Sequence, residues 1–265
     1  MKRIGYGTLL VAATGIACTV RCGGWPFSEN GASREEVQCL RLGWAEHFEA
    51  PVLAWIDPAH RRRETYRKVY QVEREGGGSF LRARHDARLG QASPPTRAIH
   101  YGQSFVDQPI PLDRVAELSW RWRVWQHPEV DANPWVDLAA SIYFVLVPPT
   151  ILANGTGFKL GWLARPGPSG NRQRGLVQIP IRNGGTTGEW RMEMVDPCAL
   201  YRQTFGSCEG ASVTYIGVVS DADDTQSVAA ADYADFELLL RSDSSAGDTV
   251  VARPAGVETK AQHPR

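Results

Sequence analysis

Leu118-Ser119-Trp120-Arg121-Trp122-Arg123-Val124-Trp125 alternates with a period of two. Successive side chains of a strand point to opposite faces. Trp120, Trp122 and Val124 therefore share one face, and Ser119, Arg121, Arg123 and Trp125 share the other. The first set reads as core.

Working outward, strand patterns recur on both sides. Ser141–Val147 is a continuous apolar run suited to a central strand. Phe158–Ala164, Leu176–Ile181 and Glu189–Val195 follow, separated by Gly- and Pro-rich turns. In the last of these Trp190, Met192 and Met194 face one way, and Glu189, Arg191 and Glu193 face the other. Val213–Val219 reads as a buried strand and Tyr233–Leu240 as the last one, with Ala234, Phe236, Leu238 and Leu240 inward. On the N-terminal side Arg97–Val106 alternates, and Thr65–Val72 pairs with Phe80–His85 as a hairpin across Glu73–Gly78. Two helices are expected. Asp196 is a good N-cap, Pro197 a good first residue and Gly206 a good stop. Asn30–Phe48 carries Ser33 and Glu36 in capping-box spacing. Many short strands and few helices predict an all-β fold, a β-sandwich or jelly roll of the galactose-binding-like kind with one or two short helices.

The chain has 265 residues, long enough for one large all-β domain. Lys plus Arg equals Asp plus Glu at 29 each, so no basic field is available to concentrate a nucleic acid. Arg61–Arg63 with Arg67-Lys68 reads as a solvated strand entry. Lys2 and Arg3 precede the apolar run Ile4–Ala17, which is too short for a comfortable membrane span and ends in Gly15-Ile16-Ala17. This predicts a signal peptide over 1–17 and export to the periplasm or the outer membrane. Cys18 follows at once, as in a lipoprotein box, although Gly15 stands where Leu is usual. A lipid anchor at Cys18 would be the one membrane attachment. The expected order is then linker or helix over 18–45, sandwich over 46–241 and a disordered tail over 242–265. Among five cysteines, Cys198 and Cys208 close a short loop and are expected to pair in an oxidising compartment. The pairing of Cys22 and Cys39 stays open, and no cysteine or histidine spacing suits zinc.

Three stretches carry a family resemblance: Leu118–Val124, Asp137–Tyr143, and Ile216–Thr225 running on to Ala231–Glu237. Gly188-Glu189-Trp190 and the Asp196–Gly206 helix accompany them. Over roughly Phe48 to Leu240 the chain resembles the bacterial domain-of-unknown-function family 3047. The resemblance implies an exported protein with a jelly-roll-like domain and no established activity. The family's usual Asp-Asp pair before the central strand is Val136-Asp137 here, and Ser141 replaces an arginine.

The turn Asp221-Ala222-Asp223-Asp224-Thr225 is the strongest local signal. Its carboxylates repel one another and need solvent, arginines or a cation, and calcium accepts such oxygens. Asp137 is the expected neighbour from another strand. A solvated turn with side chain-to-backbone bonds explains the same residues without a ligand. Asp235 in the last strand, with Glu49 as partner, is a second calcium candidate by fold analogy. Trp125, Trp135 and Trp162 lie near strand ends, where indoles can stack on sugar rings or pack a rim; Trp162 joins Asp137, Asp221, Asp223 and Asp224 as the expected ligand set. Glu189 and Glu193 share a strand face as glycosidase carboxyls do, although Arg191 between them neutralises both. Three functions follow: a glycan or other polar ligand bound by a non-enzymatic envelope protein, glycan cleavage by Glu189 and Glu193, or a structural envelope component.

Overall fold

The computed structural model describes residues 7–13, 16–22, 39–50, 68–90, 100–130, 132–147, 155–170, 172–173, 175–185 and 188–242. Two β-sheets pack face to face, of eight and six strands, with a two-stranded ribbon beside them. The fold is the all-β sandwich that the alternation predicts.

The first sheet is organised around its last strand. β8 (Val115–Gln126) runs antiparallel to the 14-residue β16 (Val228–Arg241) along nearly its whole length. On the other side of β16, β5 (Gly78–Asp86) pairs with Val228–Tyr233 and β3 (Cys39–Glu46) with Phe236–Arg241. The change of partner falls at Asp235, whose φ of 50° breaks the register between Ala234 and Glu237. Aspartate is among the few non-glycine residues that tolerate this left-handed region. β4 (Tyr70–Glu75) closes a hairpin with β5 through Gly76 and Gly77, both at positive φ as a tight hairpin turn demands. β13 (Arg191–Val195) is the edge beyond β8, and β2 (Ile16–Cys22) with β1 (Gly7–Ala13) extends the sheet beyond β3.

The second sheet runs β11 (Arg172–Gln173), β12 (Leu176–Asn183), β10 (Thr156–Leu163), β9 (Ala140–Val147), β15 (Tyr215–Val219) and β6 (Tyr101–Ser104). Only β10 and β12 are parallel; the other pairs are antiparallel. The ribbon joins β7 (Ile110–Pro111) to β14 (Ser212–Val213).

One core fills the space between the sheets. Trp120 and Trp122 are fully buried, edge to face at 5.4 Å, and Trp122 meets Trp162 of the opposite sheet at 5.6 Å. Such aromatic pairs contribute about 0.5–1.5 kcal/mol beyond their buried area. The helix α1 (Pro197–Phe205) starts as expected. The Asp196 carboxylate accepts from the Ala199 N–H at 2.9 Å, and Gly206 stops the helix at φ 99°. A Cys198–Cys208 disulfide ties its first turn to the loop before β14, with the Cα atoms 5.5 Å apart.

Two expectations are corrected. The helix expected over Asn30–Phe48 is strand where it is described, over Cys39–Glu46. Leu40, Leu42 and Trp44 alternate with Arg41 and Gly43, and the free edge of β16 supplies hydrogen bonds that a helix would forgo. The capping-box residues Ser33 and Glu36 lie outside the described residues. The sheet therefore begins before residue 46, in what the sequence reads as linker. On β13, Met192 and Met194 are more than half exposed, while the Glu193 side chain is turned inward at 13% exposure. Glu193 finds Arg182 and the Trp122 indole N–H on that side, and these partners outweigh the methionines' preference for burial. The tail expected to be disordered lies, from residue 243 on, outside the described residues.

Candidate functional site

β9 begins, and β10, β12 and β15 end, at one end of the second sheet. Trp162 sits opposite Ala140, Leu163 opposite Asn183, and Val219 opposite Ser141. The residues before Ala140 and after Val219 are therefore neighbours. The Asp221 N–H donates to the Leu138 carbonyl at 2.8 Å and sews the two segments together. This connection brings the expected partner Asp137 to the acidic loop.

Asp137, Asp223 and Asp224 come together, each offering one carboxylate oxygen, with these oxygens within 4.8 Å of one another. Asp137 is buried, Asp223 half-buried and Asp224 exposed. One Asp137 oxygen, Oδ2, accepts from the Thr225 N–H at 2.7 Å, which fixes the loop on the carboxylate. The other, Oδ1, is buried without a hydrogen-bond partner. Asp221, expected in the same group, is outside it, although its Oδ1 accepts from the Asp223 N–H at 3.3 Å. It lies 3.7 Å from His85 Nδ1, which itself accepts from the Ala222 N–H at 3.0 Å. The loop thus divides into two halves: Asp221 faces the first sheet, and Asp223 with Asp224 faces Asp137.

Trp162 lies at the same end, opposite Ala140, and precedes Leu163 of a small apolar cluster with Trp135 and Leu138. Its ring is core rather than platform, only 2% exposed, and its Nε1–H donates to the Gly184 carbonyl at 2.6 Å. It still forms one wall of a cleft of about 310 Å³ with Ile181, Arg182, Asn183, Gly184, Gly185 and Arg191. Gly184 and Gly185, at φ 56° and 101°, bend the chain there at angles that side chains rarely adopt. Glu189 and Glu193 lie near this cleft but are not paired with each other. Arg191 bonds Glu189, and Arg182 bonds Glu193. Trp135 is buried, its indole N–H bonded to the Pro168 carbonyl, so of the three rim tryptophans only Trp125 is exposed.

Of the second calcium candidate, Glu49 with Asp235, the aspartate is engaged by basic side chains. The Asp235 carboxylate is taken by Arg121 and by His47, at 3.1 Å from the ring nitrogen, while Glu49 stands exposed. An arginine already supplies there the positive charge that a metal would bring.

The sequence reading missed the cluster on the outer face of the first sheet. Asp232, fully buried, accepts from Arg123 Nε at 2.7 Å, Trp125 Nε1 at 2.7 Å and Arg82 Nε at 3.1 Å. The Arg123 guanidinium lies between Trp125 and Trp190, at 4.7 and 4.5 Å from their ring centres, and pairs with Glu75. Hydrogen bonds from Arg123 and then Trp190 hold the Glu75 carboxyl below its ordinary range. Alternation alone placed Arg123 and Trp125 on the outward face, but nothing local revealed that Asp232 would meet them.

No family model matches the chain, and no curated protein matches it. The likeness to family 3047 therefore rests on the quoted motifs.

Proposed function

We propose that the chain is an exported bacterial envelope protein that binds a polar, hydroxyl-rich ligand of the carbohydrate class in the cleft beside Trp162. The observation that carries this reading is the composition of that cleft. About 310 Å³ is near the lower limit for small-molecule sites and suits a ligand the size of one sugar ring. Two guanidiniums and the Asn183 amide supply planar hydrogen-bonding groups, and Ile181 and the Trp162 edge supply apolar contact. Each arginine is balanced by its own glutamate, so the cleft suits a neutral polyol better than a polyanion. Membership of family 3047, with its exported jelly-roll domain, belongs to the same proposal.

A glycan array followed by calorimetry tests the reading. The expected result is binding of at least one glycan, weakened tenfold or more by Arg191→Ala and by Asn183→Ala without loss of melting temperature. Binding unchanged in both variants, or none across the array, rejects it. Release of product from a polysaccharide, abolished by Glu193→Gln, would replace it with glycan cleavage.

A further inference from the structure

We propose that Asp137, Asp223 and Asp224 hold a calcium ion that locks the 221–225 loop onto the start of β9. Acidic turns are common on protein surfaces, and clustering alone says little. The distinguishing observation is Asp137. It is 1% exposed, its Oδ2 is spent on the Thr225 N–H, and its Oδ1 has neither solvent nor a hydrogen-bond partner. A buried carboxylate oxygen left unpaired is costly, and this one has two more carboxylates beside it. Among the described residues, no lysine, arginine or histidine pairs with Asp137 or Asp224. The nearby basic group, His85, is engaged by Ala222 and faces Asp221. A positive charge placed among the three oxygens would satisfy Asp137 Oδ1 and remove the mutual repulsion in one step.

The donor set selects the metal. Three carboxylates and no nitrogen or sulfur form a hard oxygen site, which favours calcium or magnesium over transition metals. Asp224 is exposed, so one side of the site opens to water. Calcium accepts six to eight oxygens in irregular arrangements, and three loop carboxylates completed by water suit it. Magnesium demands near-ideal octahedral geometry. The ion would also be structural in effect, because Thr225 and Asp137 already join the loop to β9 through one hydrogen bond.

The test uses the full chain stripped with a chelator, titrated with calcium alone and, separately, with magnesium alone. Calorimetry is expected to show one calcium per chain and a melting temperature raised by several degrees, with magnesium at least tenfold weaker. Asp224→Asn, an exposed position that leaves folding intact, should weaken calcium binding tenfold or more, and Asp223→Asn with Asp224→Asn should abolish the thermal shift. Asp221→Asn, whose side chain faces His85, should keep it. The proposal is overturned if the stripped protein shows no calcium heat or thermal shift up to millimolar concentration. It is also overturned if the double variant keeps the full shift, if Asp221→Asn loses it, or if magnesium binds as tightly as calcium. Arg191 and Asn183 line a cleft whose described lining includes none of residues 221–225, so the result is separate from that of the glycan experiment.

Discussion

Arg123 and Asp232 form a buried ion pair across β8 and β16, Nε to Oδ2 at 2.7 Å, on the face of the first sheet that points away from the core. The Arg123 side chain is 5% exposed and that of Asp232 not at all. A strand face that alternation marks as solvated is thus closed by aromatic rings stacked on the guanidinium. Desolvating two charges is costly, and the arrangement is held because the carboxylate accepts hydrogen bonds from three residues, Arg82, Arg123 and Trp125.

Removing the carboxylate leaves both Arg82 and Arg123 without it. Asp232→Ala is therefore expected to destabilise the domain by about 3–5 kcal/mol in urea unfolding. Arg82→Ala should cost much less, because Arg82 is partly exposed and Arg123 and Trp125 continue to satisfy Asp232. Equal losses from the two substitutions would show that the cluster does not work as this geometry requires.

The Cys198–Cys208 bond closes a loop of about ten residues, and the chain-entropy relation gives such a closure roughly 2–3 kcal/mol. Replacing both cysteines by alanine should lower stability by about that much. Peptide mapping without reductant should recover the two cysteines in one linked species. Two free thiols in exported protein would contradict the bond.

How far the sequence could be read follows the range of the interactions involved. Trp120, Trp122 and the Asp196 cap were legible because each depends on neighbours within a few residues: a period of two, or a side chain reaching three residues ahead. Asp137 could be named as partner of the acidic turn because the segments before β9 and after β15 had to end near each other in a sandwich. The inward face of Glu193 was not legible. It depends on Arg182, eleven residues away in sequence, and on Trp122 from another strand. Likewise Cys39–Glu46 has polarity compatible with a helix, and only the free edge of β16 makes it a strand. The burial of Trp162 and Trp135 was hidden for the same reason: proximity to a strand end does not reveal which loop will cover it.

The cysteines outside that disulfide divide by register. In the backbone Cys22 stands directly opposite Cys39 in the β2–β3 pair, and antiparallel partners have Cα atoms roughly 4.5–5.5 Å apart, within the range a disulfide spans. A Cys22–Cys39 bond is expected, leaving Cys18 as the odd cysteine just after the apolar run Ile4–Ala17. β1 pairs with β2 alone among the described residues, so cleavage after Ala17 removes β1 and leaves the Val20–Cys22 pairing with β3 in place. Mass spectrometry of the envelope fraction should find a chain beginning at Cys18. Intact Met1 recovered from the cytosol would end the export proposal.

His127 follows β8 directly. Its Nδ1 is buried without a partner, and burial pushes the imidazole below its ordinary value of 6.5. The unfolded chain therefore binds a proton here at a higher pH than the folded chain does. Stability rises with pH wherever the unfolded state holds more protons, so this contribution is complete above about pH 6.5 and declines as pH falls below it toward the lower folded value. The slope from one such group cannot exceed about 1.4 kcal/mol per pH unit. His127→Gln, which does not titrate, should flatten the stability profile between about pH 6.5 and 5 relative to the unaltered chain. Glu75 and Asp86 give a second window. Arg123 with Trp190 lowers one carboxyl and Arg88 the other, below 4.5 and 3.8 respectively, so their contributions persist through that range and are lost only under stronger acid. Urea midpoints measured across pH 7 to 3 separate the two. If His127→Gln leaves the upper limb unchanged, the buried imidazole is not its source.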